Sequence, residues 1–152
     1  MPRFFRLERS DRGAAIVEFA LVIPFLVLIL VGMVEFGWLF SQNLNVRHGA
    51  REGARLVAVN YNPNGNSGSA QTVDIVAEIC GRMDTVSGVT VGITGAGDIG
   101  DPAVATIAAP GSTITGLLDW AIPSPLTLSS SVEVRLEQTA TWADTGLPAA
   151  CS

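Results

Sequence analysis

The sequence predicts an α+β fold: a long N-terminal transmembrane helix that extends into a small exported domain with a short antiparallel sheet. Three observations predict it. An apolar run over residues 14–34 has about the 20 residues that a helix needs to cross a bilayer core. Helical periodicity continues beyond that run to Val59. Two later segments, 89–94 (VTVGIT) and 131–141 (SVEVRLEQTAT), alternate apolar and polar residues as half-buried strands do. At 152 residues the chain has room for one membrane helix and one small domain, so a second soluble domain does not fit. The expected division is a cytoplasmic basic leader at 1–13, a transmembrane helix at 14–40 and an exported domain at 41–152.

The leader carries Arg3, Arg6, Arg9 and Arg12 against Glu8 and Asp11, whereas beyond Glu35 five arginines meet ten acids. Because basic residues near a membrane span stay on the cytoplasmic side, the leader is expected inside and the C-terminal part across the membrane. The exported part is acidic and repels phosphate, so nucleic acid is not an expected partner. An ordinary secretory signal is disfavoured, because the apolar run is longer than such signals use and no A-x-A site follows it.

Within the run the only ionisable residue is Glu18. A charge inside hydrocarbon costs roughly 2.5 to 3.5 kcal/mol on insertion scales, which makes Glu18 a functional candidate by default. Pro24 is tolerated in a membrane helix and predicts a kink there. Phe36, Trp38, Leu39 and Phe40 form an aromatic border, so the helix is expected to reach water around Trp38.

Over 41–59 the apolar stripe is read as Leu44, Ala50, Ala54, Val57 and Ala58. Gly49 and Gly53 lie one turn apart on one face. Each costs about 1 kcal/mol of helix propensity, which fits either close approach by a partner's backbone or packing on the chain's own domain. Arg51, Glu52 and Arg55, with these glycines, are candidates for a partner-binding face. The other reading is a solvated surface whose exposed pairs are worth about 0.3 to 0.5 kcal/mol each. Turn formers at 60–69 (NYNPNGNSGS) then end the helix.

Residues 71–83 predict a short second helix. Its apolar side holds Val73, Ile75, Val76, Ile79, Cys80 and Met83, and Asp74, Glu78 and Arg82 oppose them. Strands are expected at 89–94, near 103–108, and at 131–141, the last with Val132, Val134 and Leu136 inward and 126–128 as its lead-in. The glycines of 95–100 (GAGDIG) are read as a turn, since no strand-to-helix pattern surrounds them. Tyr61, Trp120 and Trp142 fit core or edge packing, or a binding patch.

Cys80 and Cys151 fall on the exported side, where a disulfide can persist; two unpaired thiols are the alternative. A bridge would stabilise the domain by roughly 3 to 5 kcal/mol in the chain-entropy model. There is no C-x-x-C, and His48 is the single histidine, so neither a redox motif nor a metal site is expected. No nucleophile elbow or phosphate-binding glycine loop occurs, so no catalytic residues, cofactor or small-molecule substrate are expected, and the chain is not read as an enzyme.

The junction RSDRG followed by AAIVEF brings these strands of argument together. A cut after Gly13 would put a new amino group on Ala14, four residues before Glu18 and on the same helix face, where it could neutralise the carboxylate. Gly13, Ala14, Glu18 and Phe19 resemble a type IV prepilin signal. Together with AREGAR, ending at Arg55, they closely resemble the TadE-like proteins of the tight-adherence (Flp) pilus system, over about the first 60 residues.

The resemblance implies a minor pseudopilin of the inner membrane, single-pass, with its N-terminus in the cytoplasm. It also implies cleavage by a prepilin peptidase, and partnership with other Tad pilus assembly proteins and pseudopilins. Phe19 stands where the major pilin has tyrosine, and the exported domain exceeds that of the short major pilin, so the fibre subunit itself is not implied. The alternative is an uncleaved single-pass membrane protein whose small exported domain binds a ligand or wall component; it leaves Glu18 unneutralised.

Overall fold

One helix organises the molecule. In the computed structural model, which describes residues 11–83, 86–116, 119 and 125–151, α1 (Asp11–Ala58) is 48 residues long and passes through Pro24 without interruption. At 1.5 Å per residue it spans about 70 Å, more than twice the thickness of a bilayer core. Its end is set by Asn60, which adopts a left-handed conformation at φ 52°. The Asn60 N–H donates to Val57 O (3.1 Å) and the Tyr61 N–H to Leu56 O (2.9 Å), the paired bonds of a Schellman cap. Tyr61 thereby folds against the core.

After the turn-rich loop, α2 (Ser69–Gly81) lies beside α1, followed by β1 (Thr90–Thr94), β2 (Pro102–Pro110), β3 (Thr127–Arg135) and a two-residue β4 (Ala149–Ala150). The four strands form one sheet in the order β3-β2-β1-β4, with every neighbouring pair antiparallel. Val91 pairs with Ile107, and Ala105 stands between Ile93 of β1 and Val132 of β3. Val91 and Ile93 of β1 and Ala103, Ala105, Ile107 and Ala109 of β2 are all buried. The upper part of α1 packs on β2 and β3, with α2 alongside. The fold is therefore a long apolar helix followed by a small mixed domain with an antiparallel sheet.

Small residues set the spacing between helix and sheet. A Cβ on Gly53 would come within 3.3 Å of the Ala105 Cβ and 3.0 Å of Ile79 Cδ1, and one on Gly49 within 2.3 Å of Met83 Sδ. Alanines on β2 beneath glycines on α1 allow this close approach, and Leu56, Val57, Ile75, Ile79, Ile107 and Leu136 fill the space around it.

Several expectations are corrected in detail. Leu44 is 41% exposed; the buried stripe instead runs through Val46, Ala50, Ala54 and Val57, at intervals of three and four residues. Val73 is exposed on the outer side of α2. The last long strand begins at Thr127, taking in Leu128, and stops at Arg135. Beyond it the chain breaks from the sheet to cap α1, the Glu137 N–H donating to Ala58 O (2.9 Å). The GAGDIG turn joins β1 to β2, as expected, and Gly95 is required there: at φ +92° a side chain would meet Pro102 O at 2.4 Å.

Residues 136–151 form a strap around the domain. Thr141 O accepts from the Gly68 N–H (2.6 Å), the Thr145 N–H donates to Ile93 O (2.8 Å), and the Cys151 N–H donates to Val89 O (2.8 Å). Trp142 is buried within the core, while Trp120 lies outside the described residues. Cys80 of α2 is bonded to Cys151, Cα to Cα 5.5 Å, across a sequence separation of 71 residues.

Candidate functional site

The lower part of α1 is the first region of interest. Among the described residues α1 is the helix long and apolar enough to cross a membrane, with a mean hydropathy of 2.9 over its most apolar window. From Ile16 to Leu30 its large apolar side chains are exposed, Phe25 by 71%. Fully burying each such side chain is worth about 1.5 to 3 kcal/mol, so this surface requires lipid or other helices around it. Gly13, Ala14, Glu18 and Phe19 all lie on this bare stretch of helix and are exposed. Ala14 and Glu18 are separated by four residues of continuous helix and so share a face. Among the described residues Glu18 has no ion-pair partner.

The second region is the helix face around Arg51. Gly49 and Gly53 point inward and are buried, so the close approach expected at these glycines is made by the chain's own α2 and sheet. Arg51 and Arg55 are exposed on the outer side. Glu52 accepts from Arg55 Nη2 (2.6 Å) and Nε (3.1 Å), and from Arg82 Nη1 at the end of α2 (2.5 Å). Arg82 also donates to Glu78 (2.6 Å). The hydrogen bond from Arg55 holds the Glu52 carboxyl below its ordinary range, and the charges of Arg55 and Arg82 add to this against partial burial. Arg55 is raised by its bond to Glu52, and Arg82 is raised by its bond to Glu78. Glu52 thus ties α1 to α2, while Arg51 makes no ion pair among the described residues.

A third feature escaped the sequence reading. Glu35, at the upper edge of the apolar run, is fully buried although charged. The segment after β2 folds back along α1 and covers it: Glu35 Oε2 accepts from the Ile114 N–H (2.8 Å), and Oε1 accepts from the Thr115 N–H (2.6 Å) and the Thr115 hydroxyl. Two turns higher, Gln42 pairs its amide with the Ser112 backbone in both directions, donating to the carbonyl (2.8 Å) and accepting from the N–H (3.0 Å). Burying a carboxylate is tolerable only with such charge-assisted donors. A signal existed in the sequence: Glu35 and Gln42 are seven residues apart on one helix face, and GSTITG offers a run of short polar residues with free N–H groups.

A cleft of about 500 Å³ separates α2 from the strap, lined by Thr72, Val73, Val76, Asp144, Leu147 and Cys151 among others. No group of three or more His, Cys, Asp or Glu side chains with metal-binding placement occurs among the described residues.

Comparison with known families matches residues 13–55 to the family described as TadE-like protein. The match begins at Gly13, covers the apolar stretch and ends at Arg55, so it coincides with α1 and leaves the sheet domain outside it. No curated protein and no solved structure matches the chain.

Proposed function

We propose that this chain is a minor pseudopilin that takes part in assembly of the tight-adherence (Flp type IVb) pilus. In this reading the leader 1–13 is cytoplasmic, α1 crosses the inner membrane, and the domain is exported. A prepilin peptidase cuts after Gly13, and the other partners are Tad assembly proteins and fellow pseudopilins. The role is structural rather than catalytic. The observation that carries the reading is Glu18: it is exposed on an apolar helix without an ion-pair partner among the described residues, one turn above the residue that would carry a new amino terminus. The TadE-like match over 13–55 supports it from the sequence side.

The amine released on Ala14 supplies the positive charge that the Glu18 carboxylate lacks, within the chain or across to a neighbour. Removing the arginine leader also frees the helix to leave the bilayer for an assembly. Glu18→Gln is therefore expected to leave cleavage intact and to reduce piliation severely, as read by electron microscopy of cells and by the mass of the mature chain. Normal piliation in cells carrying Glu18→Gln would overturn the role given to the carboxylate.

The cleft beside α2 favours a second reading, an uncleaved single-pass protein whose exported domain binds a ligand or wall component. An N-terminus at Ala14 in native protein separates the two, since only the first reading requires it.

A further inference from the structure

The buried Glu35 carboxylate and the loop that covers it stand at a particular height on α1. A bilayer core about 30 Å thick corresponds to about 20 residues of helix, so a span beginning at Ala14 ends near Val34. Glu35 is then the first side chain past the hydrocarbon. Its hydrogen bonds to the Ile114 and Thr115 N–H groups bring those two residues down to that same level, about 10 Å below Ser112's clasp on Gln42 by helix rise.

The loop's own composition matches that height. Ile114 is 54% exposed although it is the one large apolar side chain of GSTITG, and the helix at this height also exposes Phe36, Trp38 and Phe40. The segment 111–116 contains no ionisable residue. The nearest acid beyond it, Asp119, is held back by the Thr113 hydroxyl (2.7 Å). Glu35 itself is covered by three donors, so no bare negative charge faces outward at this place. An isoleucine held out at this height gains by entering the acyl-chain border.

We propose that residues 112–116 form a foot that rests on the bilayer surface, with Ile114 inserted at the level of the upper acyl chains and Glu35 and Gln42 as the clamp that sets its height. The partner is the lipid surface. The foot gives the domain a second point of support beside α1, which fixes its tilt and rotation relative to the membrane. The inference rests on the reading that the lower part of α1 spans a bilayer, and its test separates the two.

The full chain, with its native disulfide kept by omission of reductant, is reconstituted in phosphatidylcholine and phosphatidylglycerol vesicles. It carries one added cysteine labelled with an environment-sensitive fluorophore, at Ile114→Cys, at Phe25→Cys within the apolar run, or at Pro63→Cys beyond the top of α1. Shallow spin-labelled lipids are expected to quench position 114 several-fold more than position 63, with a blue-shifted emission and protection from iodide. Adding Glu35→Ala, or Gln42→Ala where the first variant does not fold by near-ultraviolet circular dichroism, is expected to return position 114 to the level of position 63 and to leave position 25 unchanged. Lipid quenching at 25 with only iodide quenching at 114 overturns the foot alone. Protection of 114 from both quenchers means that protein covers it, and overturns the foot as well. Full lipid quenching at 114 despite loss of the clamp overturns the role of Glu35 and Gln42. Absence of lipid quenching at 25 removes the membrane-spanning reading and the foot together.

Discussion

Below Glu35, α1 leaves Leu21, Phe25 and Leu28 more than half exposed; above Val46, the same uninterrupted helix buries Ala50, Leu56 and Val57 almost completely. The backbone is alike in both parts, and the hydrophobic content of the lower one is the greater. What differs is the partner. The upper part supplies a stripe at three- and four-residue spacing, thinned to glycine where β2 and α2 come close, and its other faces are polar. The lower part is apolar all round, which no one-sided domain can cover. The two parts therefore belong to different solvents, and changes in one should leave the other's stability untouched.

The largest expected contrast comes from truncating one leucine in each part. Leu56→Ala should destabilise the domain by about 2 to 5 kcal/mol, the range for emptying a packed core site. Leu28→Ala should move the domain's unfolding by less than about 0.5 kcal/mol. Urea unfolding in mild detergent, followed by near-ultraviolet circular dichroism, reads both. Equal effects would mean that the lower helix also belongs to the domain's core.

Reduction of the Cys80–Cys151 bond sharpens the contrast at the far end of the domain. It releases the strap that crosses β1 and α2, and should lower stability by about 2 to 4 kcal/mol. Limited proteolysis should then cut first within 136–151, while α1 below Glu35 stays protected in vesicles.

Next in size is Gly53→Leu, where even a Cβ lies at 3.3 Å from the Ala105 Cβ. Overpacking there should cost about 1 to 3 kcal/mol. Gly32→Leu, with nothing within 4 Å, should leave the domain's thermal midpoint in place. Should Gly53→Leu prove silent, the close approach of helix and sheet would lose its support.

The smallest effect is electrostatic. Glu52 is depressed below the ordinary glutamate value of 4.5 by its bond to Arg55, so its contribution is present above that value and lost as pH falls through the folded-state value. Glu52→Gln should therefore be slightly less stable than the parent at neutral pH and indistinguishable from it in acid. Persistence of the difference in acid would assign it to packing.

Much of this architecture was legible in the sequence, because the signals were local. The apolar length of 14–34, the alternation of 89–94 and the turn formers of 60–69 each name an element without reference to the rest of the chain. Glu18 stood out for the same reason, a lone charge in a long apolar run. The positions left open, misread or passed over depend on distant neighbours. Gly49 and Gly53 read equally well toward a partner or toward the domain, and only the placement of Met83, Ile79 and Ala105 decides between them. Leu44 was read into the stripe, but it lies about 200° round the helix from the buried Val46 and so faces away from the sheet. Glu35 was not singled out, because the N–H groups that bind it come from residues 79 and 80 positions away. β4 is only two residues long and is held by β1 and the disulfide, with no periodicity of its own to announce it.

The division of α1 between two solvents is tested most directly by spin labels placed one at a time at Leu21, Phe25, Leu28, Arg47 and Arg51 in vesicle-reconstituted protein. Collision with oxygen should dominate at the first three positions and collision with a water-soluble nickel complex at the last two, with the crossover between Val34 and Gln42. Equal access of the nickel complex to all five positions would contradict the account.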